Sequence, residues 1–276
     1  FSSNFLGGTL GPIILVALAT AIGWRYTFFL TLLPGLIVAF LVWRYVKDPE
    51  MSPEATSLSA SGQTQKESET ARIADVFKYR NMWLCFLIGI FFIPWYILLF
   101  TFSPLYLTEI KQVSPEVMSY VMAAIGIGSA VWGFIVPAIS DRWGRKPTFI
   151  LFALISMLAP LSIVFFNGPY WLLWLIVFIG SAGPGCMALY MSIIPSETIP
   201  PKLTGTAIGL AVGIGETIGG FGIVSLAGAL GDVYGLSAPL LISGVSALIA
   251  AVIALFFIET APIKVKAKQD VPVSQI

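Results

Sequence analysis

Residues 117–166 read VMSYVMAAIGIGSAVWGFIVPAISDRWGRKPTFILFALISMLAPLSIVFF, two long apolar runs separated by the polar stretch SDRWGRKP at 140–147. A helix of about 20 apolar residues spans the hydrocarbon core of a bilayer. Each run reaches that length, and so short a connection makes the two helices antiparallel neighbours. This stretch therefore predicts two membrane-spanning helices joined by a tight basic loop.

The whole chain of 276 residues is too apolar for a soluble protein. Hydrophobic residues make up 57% and charged residues 11% of it, against about 45–50% and about 25% in soluble proteins. The low charge excludes a disordered segment, a nucleic-acid-binding protein and an ordinary soluble enzyme, because charge is needed for solvation and for phosphate neutralisation. Eight runs approach bilayer length: Phe5–Ile22, Tyr26–Val46, Met82–Leu107, Val117–Ile139, Thr148–Phe166, Tyr170–Ile194, Leu203–Leu230 and Ala238–Ile258. The sequence predicts an all-α polytopic membrane protein with eight transmembrane helices in a lipid bilayer.

Basic residues give these helices an orientation. If the eight runs alternate in direction, 13 of the 15 Lys and Arg residues fall on one side, and only Arg25 and Lys111 fall on the other. Loops rich in Lys and Arg stay on the cytoplasmic side. We therefore expect a multi-pass protein of the cell membrane, plasma or inner, whose N-terminal start, long polar linker and C-terminal tail are cytoplasmic.

One long polar stretch, residues 47–80, separates the second apolar run from the third. It holds 11 of the chain's 29 charged residues, a composition typical of a linker. Near its end Ile73, Val76 and Phe77 recur at helical spacing. This spacing predicts a short amphipathic helix on the membrane face.

The loop Asp141–Lys146 has the pattern D-R-x-G-R-K after a helix rich in small residues. It resembles the cytoplasmic loop signature of major facilitator superfamily transporters, which lies between helices 2 and 3 with a related copy between helices 8 and 9. The resemblance implies that this loop is the second copy and that the eight helices are helices 5 to 12 of an expected twelve, with helices 1 to 4 missing. It divides the chain into four parts. These are the last two helices of an N-terminal bundle (1–46), an interdomain linker (47–80), a C-terminal six-helix bundle (81–259) and a cytoplasmic tail (260–276).

The charged residues near this loop are candidates for a cytoplasmic gate. Asp141 suits the positive end of a neighbouring helix, and basic side chains in the loop can hold carboxylates or lipid phosphates. The stretch PSETIPPKLTG at 195–205 resembles the family's loop between helices 10 and 11, which puts Glu197 on the same side. A plain positive-inside anchor and a solvated loop carboxylate are the alternatives. The candidate gate residues are Asp141, Arg142, Gly144, Arg145, Lys146 and Glu197.

Glu216 lies deep inside the run Leu203–Leu230. An acidic residue near mid-bilayer is costly and marks a functional site by default. Gly209, Gly213 and Gly220 share its helix face, so we expect Glu216 to face protein or water and not lipid. No span carries a basic partner for it, and desolvation without a partner favours the protonated form. Glu216 is the candidate for proton coupling or substrate binding, with a protonated structural Glu as the alternative.

Interior prolines and glycines interrupt two of the runs. Pro94 and Pro104 lie in the third run, and the triplet Gly183–Gly185 lies in the sixth. Such breaks free backbone carbonyls, are tolerated where neighbours or water satisfy them, and often line transporter sites. The candidates for cavity lining, with simple packing as the alternative for each, are Trp95, Tyr96, Thr101, Ser181 and Tyr190.

The predicted function is a secondary active transporter that moves a small-molecule substrate, of the organic acid or sugar class, by alternating access between two bundles. Glu216 favours proton-coupled symport, and a drug or metabolite efflux antiporter is the alternative. A multi-spanning membrane enzyme is the alternative from another class, but no histidine occurs, which removes the usual general base and the commonest metal ligand. We expect no enzymatic activity, no catalytic residue, no metal, no cofactor and no nucleic-acid partner. An anionic substrate would need its cationic partner in helices 1 to 4.

Overall fold

The computed structural model describes residue 18, residues 22–45 and residues 73–264. These residues belong to two compact units, one within residues 10–72 and one that includes residues 73–264. Seven of their helices are long and apolar enough to cross a membrane: α1 (Arg25–Tyr45), α2 (Arg80–Ile110), α3 (Pro115–Trp143), α4 (Arg145–Phe165), α5 (Tyr170–Thr198), α6 (Pro201–Tyr234) and α7 (Ser237–Ala254). The prediction of an all-α polytopic membrane protein is confirmed. The first predicted run, Phe5–Ile22, lies almost wholly outside the described residues.

The first unit contains α1, which consists of the helices Trp24–Leu30 and Leu32–Tyr45. Leu32–Tyr45 buries none of its side chains within the described residues. A helix that is apolar all round and exposed all round is typical of a membrane span.

The second unit holds α2 to α7, and several of these spans change helix type along their length. Within α2, an α-helix (Arg80–Leu105) runs into a π-helical turn (Tyr106–Ile110). Span α3 is one α-helix, and α4 consists of Arg145–Ser156 and Leu158–Phe165. Span α5 consists of Tyr170–Gly180, Gly183–Ala188, the π turn Leu189–Ile193 and Ile194–Thr198. Span α6 consists of the 3₁₀ turn Pro201–Leu203, Thr204–Ile214, the π turn Gly215–Ile223 and Val224–Tyr234, and α7 is one α-helix.

Span α2 lies at the centre of its unit, where it packs against α6 and α7. Trp95 in the middle of α2 is fully buried, and its Nε1 donates a hydrogen bond to the Ser156 carbonyl of α4 at 2.8 Å. Its own carbonyl accepts one from Ser243 Oγ of α7 at 3.0 Å. Pro94 and Pro104 sit inside this helix and lack an N–H, so the carbonyls of Ile90 and Phe100, four residues before them, lose their ordinary helical partners. The two hydrogen bonds of Trp95 join α2 to α4 and α7 within the buried core.

A short helix, Ile73–Val76, precedes α2. The prediction of a helix here is confirmed, but the prediction that its apolar face lies on a membrane is wrong for Val76. That side chain is fully buried in a cluster with Met82 and Phe86 of α2 and Leu203 of α6. Only Ile73, at 61% exposure, points away from the protein. The helix therefore packs its apolar side against α2 and α6.

Candidate functional site

The loop between α3 and α4 turns at Gly144. Its φ of +108° is a backbone conformation that favours glycine. The turn ends α3 and lets Arg145 begin α4 with its side chain directed into the protein, so that the residue is only 5% exposed. We refer to this end of the six spans as the motif end, and to the end that carries Lys111 as the opposite end.

Arg145 is the centre of a polar network. Its Nη2 donates to Glu197 Oε1 at 2.6 Å, and its Nε donates to both oxygens of that carboxylate at 3.1 and 3.2 Å. Its Nη1 donates to Asp141 Oδ1 and to Ser140 Oγ, both at 2.6 Å. One guanidinium thus connects the end of α3, the start of α4 and the end of α5.

Burial separates the two ion pairs of this arginine. The side chains of Arg145 and Glu197 are 7% and 18% exposed, whereas that of Asp141 is 61% exposed. Coulomb interactions are strong where water is excluded and weak where it screens them. The Arg145–Glu197 pair is therefore the stronger of the two, and Asp141 is held more loosely.

The segment after α7 joins the same network. Thr260 Oγ1 donates to Glu197 Oε2 at 2.7 Å. The Glu259 carboxylate accepts the backbone N–H groups of Arg145 at 2.7 Å and Lys146 at 3.2 Å. These are unpaired donors of the first turn of α4, so Glu259 caps that helix and neutralises the positive end of its dipole.

Glycine at position 144 also leaves room for this cap. A Cβ atom there would lie 2.5 Å from Glu259 Oε2. At the residue before Glu259, the backbone of Ile258 exchanges two hydrogen bonds of 3.0 Å with Asn81 at the start of α2. The motif end of the unit is therefore tied together by residues from α2, α3, α4, α5 and the segment after α7.

Sequence reasoning named Arg145, Asp141 and Glu197 but missed Glu259 and Thr260. The sequence did contain a signal for Glu259, because it is the first acidic residue after the last apolar run and lies on the side of the basic loop. The remaining candidates take less part in the network: Arg142 is exposed, and Lys146 contributes its backbone N–H. The gate role of all these residues stays a prediction.

Glu216 lies in the π turn Gly215–Ile223, near the middle of α6. A Cβ on Gly220 would lie 3.0 Å from Glu216 Oε2 and 3.3 Å from Ile97 Cδ1 of α2. The Glu216 side chain is exposed, and Gly209 and Gly213 have no described atom within 4 Å of a Cβ position. Within the described residues Glu216 forms no ion pair, and its helix face is open.

The cavity-lining candidates separate into two groups. Thr101 is exposed and lies one helical turn beyond Ile97 on α2, so it shares the side of Glu216. Tyr96 is half-buried against Phe100. The other three candidates are fully buried in the bundle: Trp95, Ser181 and Tyr190. Contact of any of them with substrate stays a prediction.

Metal chemistry finds no support in the described ranges, where no three Cys, Asp or Glu side chains come together as metal ligands would. The Glu216 carboxylate and the Thr101 hydroxyl group lie on the exposed side described above. A lone carboxylate can bind a proton or accept a hydrogen bond from a polar solute.

The chain is similar in sequence to several proteins whose names describe transporters. The chain is 29% identical over 224 residues to the cis,cis-muconate transport protein of Acinetobacter baylyi, which covers 76% of this chain and 52% of that protein. It is 27% identical over 263 residues to the probable 4-methylmuconolactone transporter of Cupriavidus pinatubonensis, covering 93% and 58%. It is 30% identical over 151 residues to the hexuronate transporter of Bacillus subtilis, covering 52% and 35%. The chain spans little more than half the length of the first two relatives.

These relatives carry the names of transporters and not of enzymes. Residues 1–224 match the sequence profile of the family described as Major Facilitator Superfamily. That match includes the loop Asp141–Lys146, on which the resemblance rests, and most of the apolar spans. With its helical spans and this match over most of its length, the chain belongs to the major facilitator superfamily, a family of multi-pass membrane proteins.

Proposed function

We propose that this chain is part of a secondary active transporter that takes up a small organic acid together with protons by alternating access. The observation that carries the proposal is Glu216, a carboxylate about 22 Å along α6 from Pro201. It has no ion-pair partner among the described residues. A group in that position can alternate between a charged and a neutral form as the surroundings change from water to protein.

The substrate class is proposed from the relatives. Muconate, a muconolactone and a hexuronate are the substrates in their printed names, and each compound bears a carboxylate. An anion of this kind needs a cationic contact. The basic residues of α2 to α7 lie near the ends of the spans, so we assign that contact to helices 1 to 4 of the same protein.

Protonation supplies the coupling. When Glu216 is ionised, closing the protein around it would desolvate a charge, which is unfavourable. When it is protonated, the site can close and reopen on the other side of the membrane. Proton and solute therefore cross together, and the proton gradient drives accumulation of the solute.

The network at the motif end keeps one bundle rigid while the bundles move. Its buried pair, Arg145–Glu197, and the cap by Glu259 join elements of a single unit. Arg142 and Asp141 are exposed beside it. We place this end, the linker 47–80 and the tail 260–276 in the cytoplasm, with 1–46 in the N-terminal bundle and 81–259 as the C-terminal bundle.

Transport by the complete protein in proteoliposomes tests the proposal. We expect uptake of radiolabelled cis,cis-muconate or a hexuronate that is driven by an inward proton gradient and collapses with a protonophore, with little uptake of a neutral hexose. Proton-driven extrusion of lipophilic dyes would indicate the efflux antiporter. Accumulation that ignores the proton gradient would overturn the coupling.

The variant Glu216→Gln separates coupling from binding. It should abolish gradient-driven accumulation, because the neutral amide cannot exchange a proton, while counterflow exchange of unlabelled for labelled substrate continues. The matched control is Glu109→Gln, which changes an exposed carboxylate at the opposite end of α2. Full accumulation by the Glu216 variant would reassign this residue to structure.

A further inference from the structure

Tyr190 presents a buried hydroxyl that nothing satisfies. Its side chain is fully buried in α5, and among the described residues its Oη has no hydrogen-bond partner. Buried hydroxyl groups are hydrogen-bonded in the large majority of cases, because losing water without a replacement is unfavourable. An unpaired one in a native structure therefore points to a partner that arrives in another conformation.

The ring of Tyr190 is held in place by its aromatic neighbours. Phe92 of α2 lies 6.1 Å away at 78°, and Phe149 of α4 lies 6.2 Å away at 82°, both in edge-to-face geometry. The hydroxyl group therefore cannot swing far to find an acceptor. The acceptor has to come to the hydroxyl.

The candidate acceptor is the Glu216 carboxylate, because Glu216 follows Gly215, which packs on Gly89 beside the Tyr190 ring. Two thiols, Cys186 one turn earlier on α5 and Cys85 one turn before Gly89 on α2, are the other polar groups of this region. Both thiols are fully buried and are weak hydrogen-bonding groups.

The other ionisable groups of the packed spans are placed differently. Tyr96 of α2 lies about two turns beyond Gly89, α7 has no ionisable side chain within Ser237–Ala254, and Arg145 of α4, one turn before Phe149, is already paired with Glu197. Glu216 is therefore the carboxylate that these placements leave for Tyr190 among the described residues.

The backbone brings the two residues together at a single glycine. A Cβ on Gly89 of α2 would lie 3.3 Å from Gly215 Cα, next to Glu216, and 3.4 Å from Tyr190 Cε2. Tyr190 lies in the π turn Leu189–Ile193 and Glu216 in the π turn Gly215–Ile223. Such turns shift the side chains of a helix and are frequent at functional sites.

We propose that Tyr190 is a positioning residue for Glu216. Its hydroxyl donates a hydrogen bond to the Glu216 carboxylate when that side chain turns from the open face of α6 toward Gly89, and so stabilises the ionised carboxylate after the solute and the proton have left. A hydroxyl-to-carboxylate bond is a short, strong one. Tyr190 keeps its own proton throughout, and the transported proton binds and leaves Glu216 alone. This inference rests on the proposed function, since it requires that Glu216 exchange protons.

The test is the pH profile of gradient-driven uptake in proteoliposomes. Tyr190→Phe keeps the aromatic ring and removes the hydroxyl donor. The ionised Glu216 carboxylate then loses a stabilising hydrogen bond, so Glu216 should hold its proton to higher pH than in the wild type. The midpoint of the profile should move up by about one pH unit, corresponding to a roughly tenfold change in proton binding. The matched control is Tyr106→Phe, a second buried tyrosine, whose hydroxyl donates instead to the Val164 carbonyl at 3.5 Å and whose variant should leave the midpoint unchanged.

Two further variants make every outcome informative. If Tyr190→Phe does not fold, Glu216→Asp tests the same bond from the other side. The carboxylate is drawn back by one methylene group and should lose the bond, so the midpoint should move up although the intrinsic pKa of Asp is lower than that of Glu. A folded Tyr190→Phe protein with the wild-type midpoint, or an equal shift in Tyr106→Phe, overturns the inference. If wild-type uptake ignores the proton gradient, the proposed function itself fails. If Glu216→Gln abolishes accumulation and Tyr190→Phe moves nothing, only the role of Tyr190 fails.

Discussion

Removing one partner of the Arg145–Glu197 pair should destabilise the protein more than any change at Asp141. The perturbation is Glu197→Gln, which keeps the shape of the side chain and removes its charge. Arg145 then remains at 7% side-chain exposure with only the exposed Asp141 to balance it. Breaking a buried ion pair by removing one member costs about 3–5 kcal/mol, and the remaining Asp141 pair and Ser140 bond place the expected loss near the lower figure.

The control is Asp141→Asn at the same arginine. Asp141 is 61% exposed, so its pair with Arg145 is screened by water and should contribute about 0.2–1 kcal/mol. A double-mutant cycle with Arg145→Gln isolates each pair. We expect a coupling of about 2–3 kcal/mol for Arg145 with Glu197 and of less than about 1 kcal/mol for Arg145 with Asp141.

The assay is equilibrium unfolding of the purified protein in mixed micelles, titrated with a denaturing detergent and followed by tryptophan fluorescence. The free energies of unfolding of the wild type, three single variants and two double variants complete both cycles. Equal couplings for the two pairs would refute the reasoning, because burial would then not decide their strength. So would a Glu197→Gln protein as stable as the wild type.

Three other outcomes follow from single contacts. Gly180→Ala should lower stability by about 1–3 kcal/mol, because its Cβ would overlap the backbone of α4, while Gly209→Ala, with nothing within 4 Å, should be neutral or slightly stabilising by thermal denaturation. Trp95→Phe should cost about 1–3 kcal/mol in detergent unfolding, because the buried Ser156 carbonyl loses its donor. Burial lowers the pKa of Lys111 below its usual 10.5, so the folded protein releases that proton at a lower pH than the unfolded chain does. The free energy of unfolding should therefore rise with pH in the alkaline range below 10.5. Lys111→Met should remove this rise in unfolding measurements at several pH values.

The loop Asp141–Lys146 shows how far sequence reasoning reached. The motif predicted the family, and the shortness of the loop predicted the antiparallel pair of helices. The resemblance of residues 195–205 placed Glu197 on the same side, and the structure contains the Arg145–Glu197 ion pair. The exposure of Arg142, by contrast, could not be predicted, since a basic pattern does not say which arginine turns inward. The turn at Gly144 makes that choice.

The buried aromatic residues show where sequence reasoning stops. Trp95 and Tyr190 were candidates for cavity lining because they lie near helix breaks, and both are fully buried in the bundle. The same residue types line cavities and fill cores. Only the packing of Phe92 and Phe149 around them distinguishes the two environments.

The sequence by itself determined which segments cross the membrane, because each helix satisfies its own backbone hydrogen bonds and each apolar run needs only its own length to span lipid. The tertiary structure decided which polar groups meet. Glu259 caps a helix that begins 114 residues earlier in the chain, and the π turns that carry Tyr190 and Glu216 both pack on Gly89. Contacts of this kind depend on the positions of whole helices, and no local pattern in the chain specifies those positions.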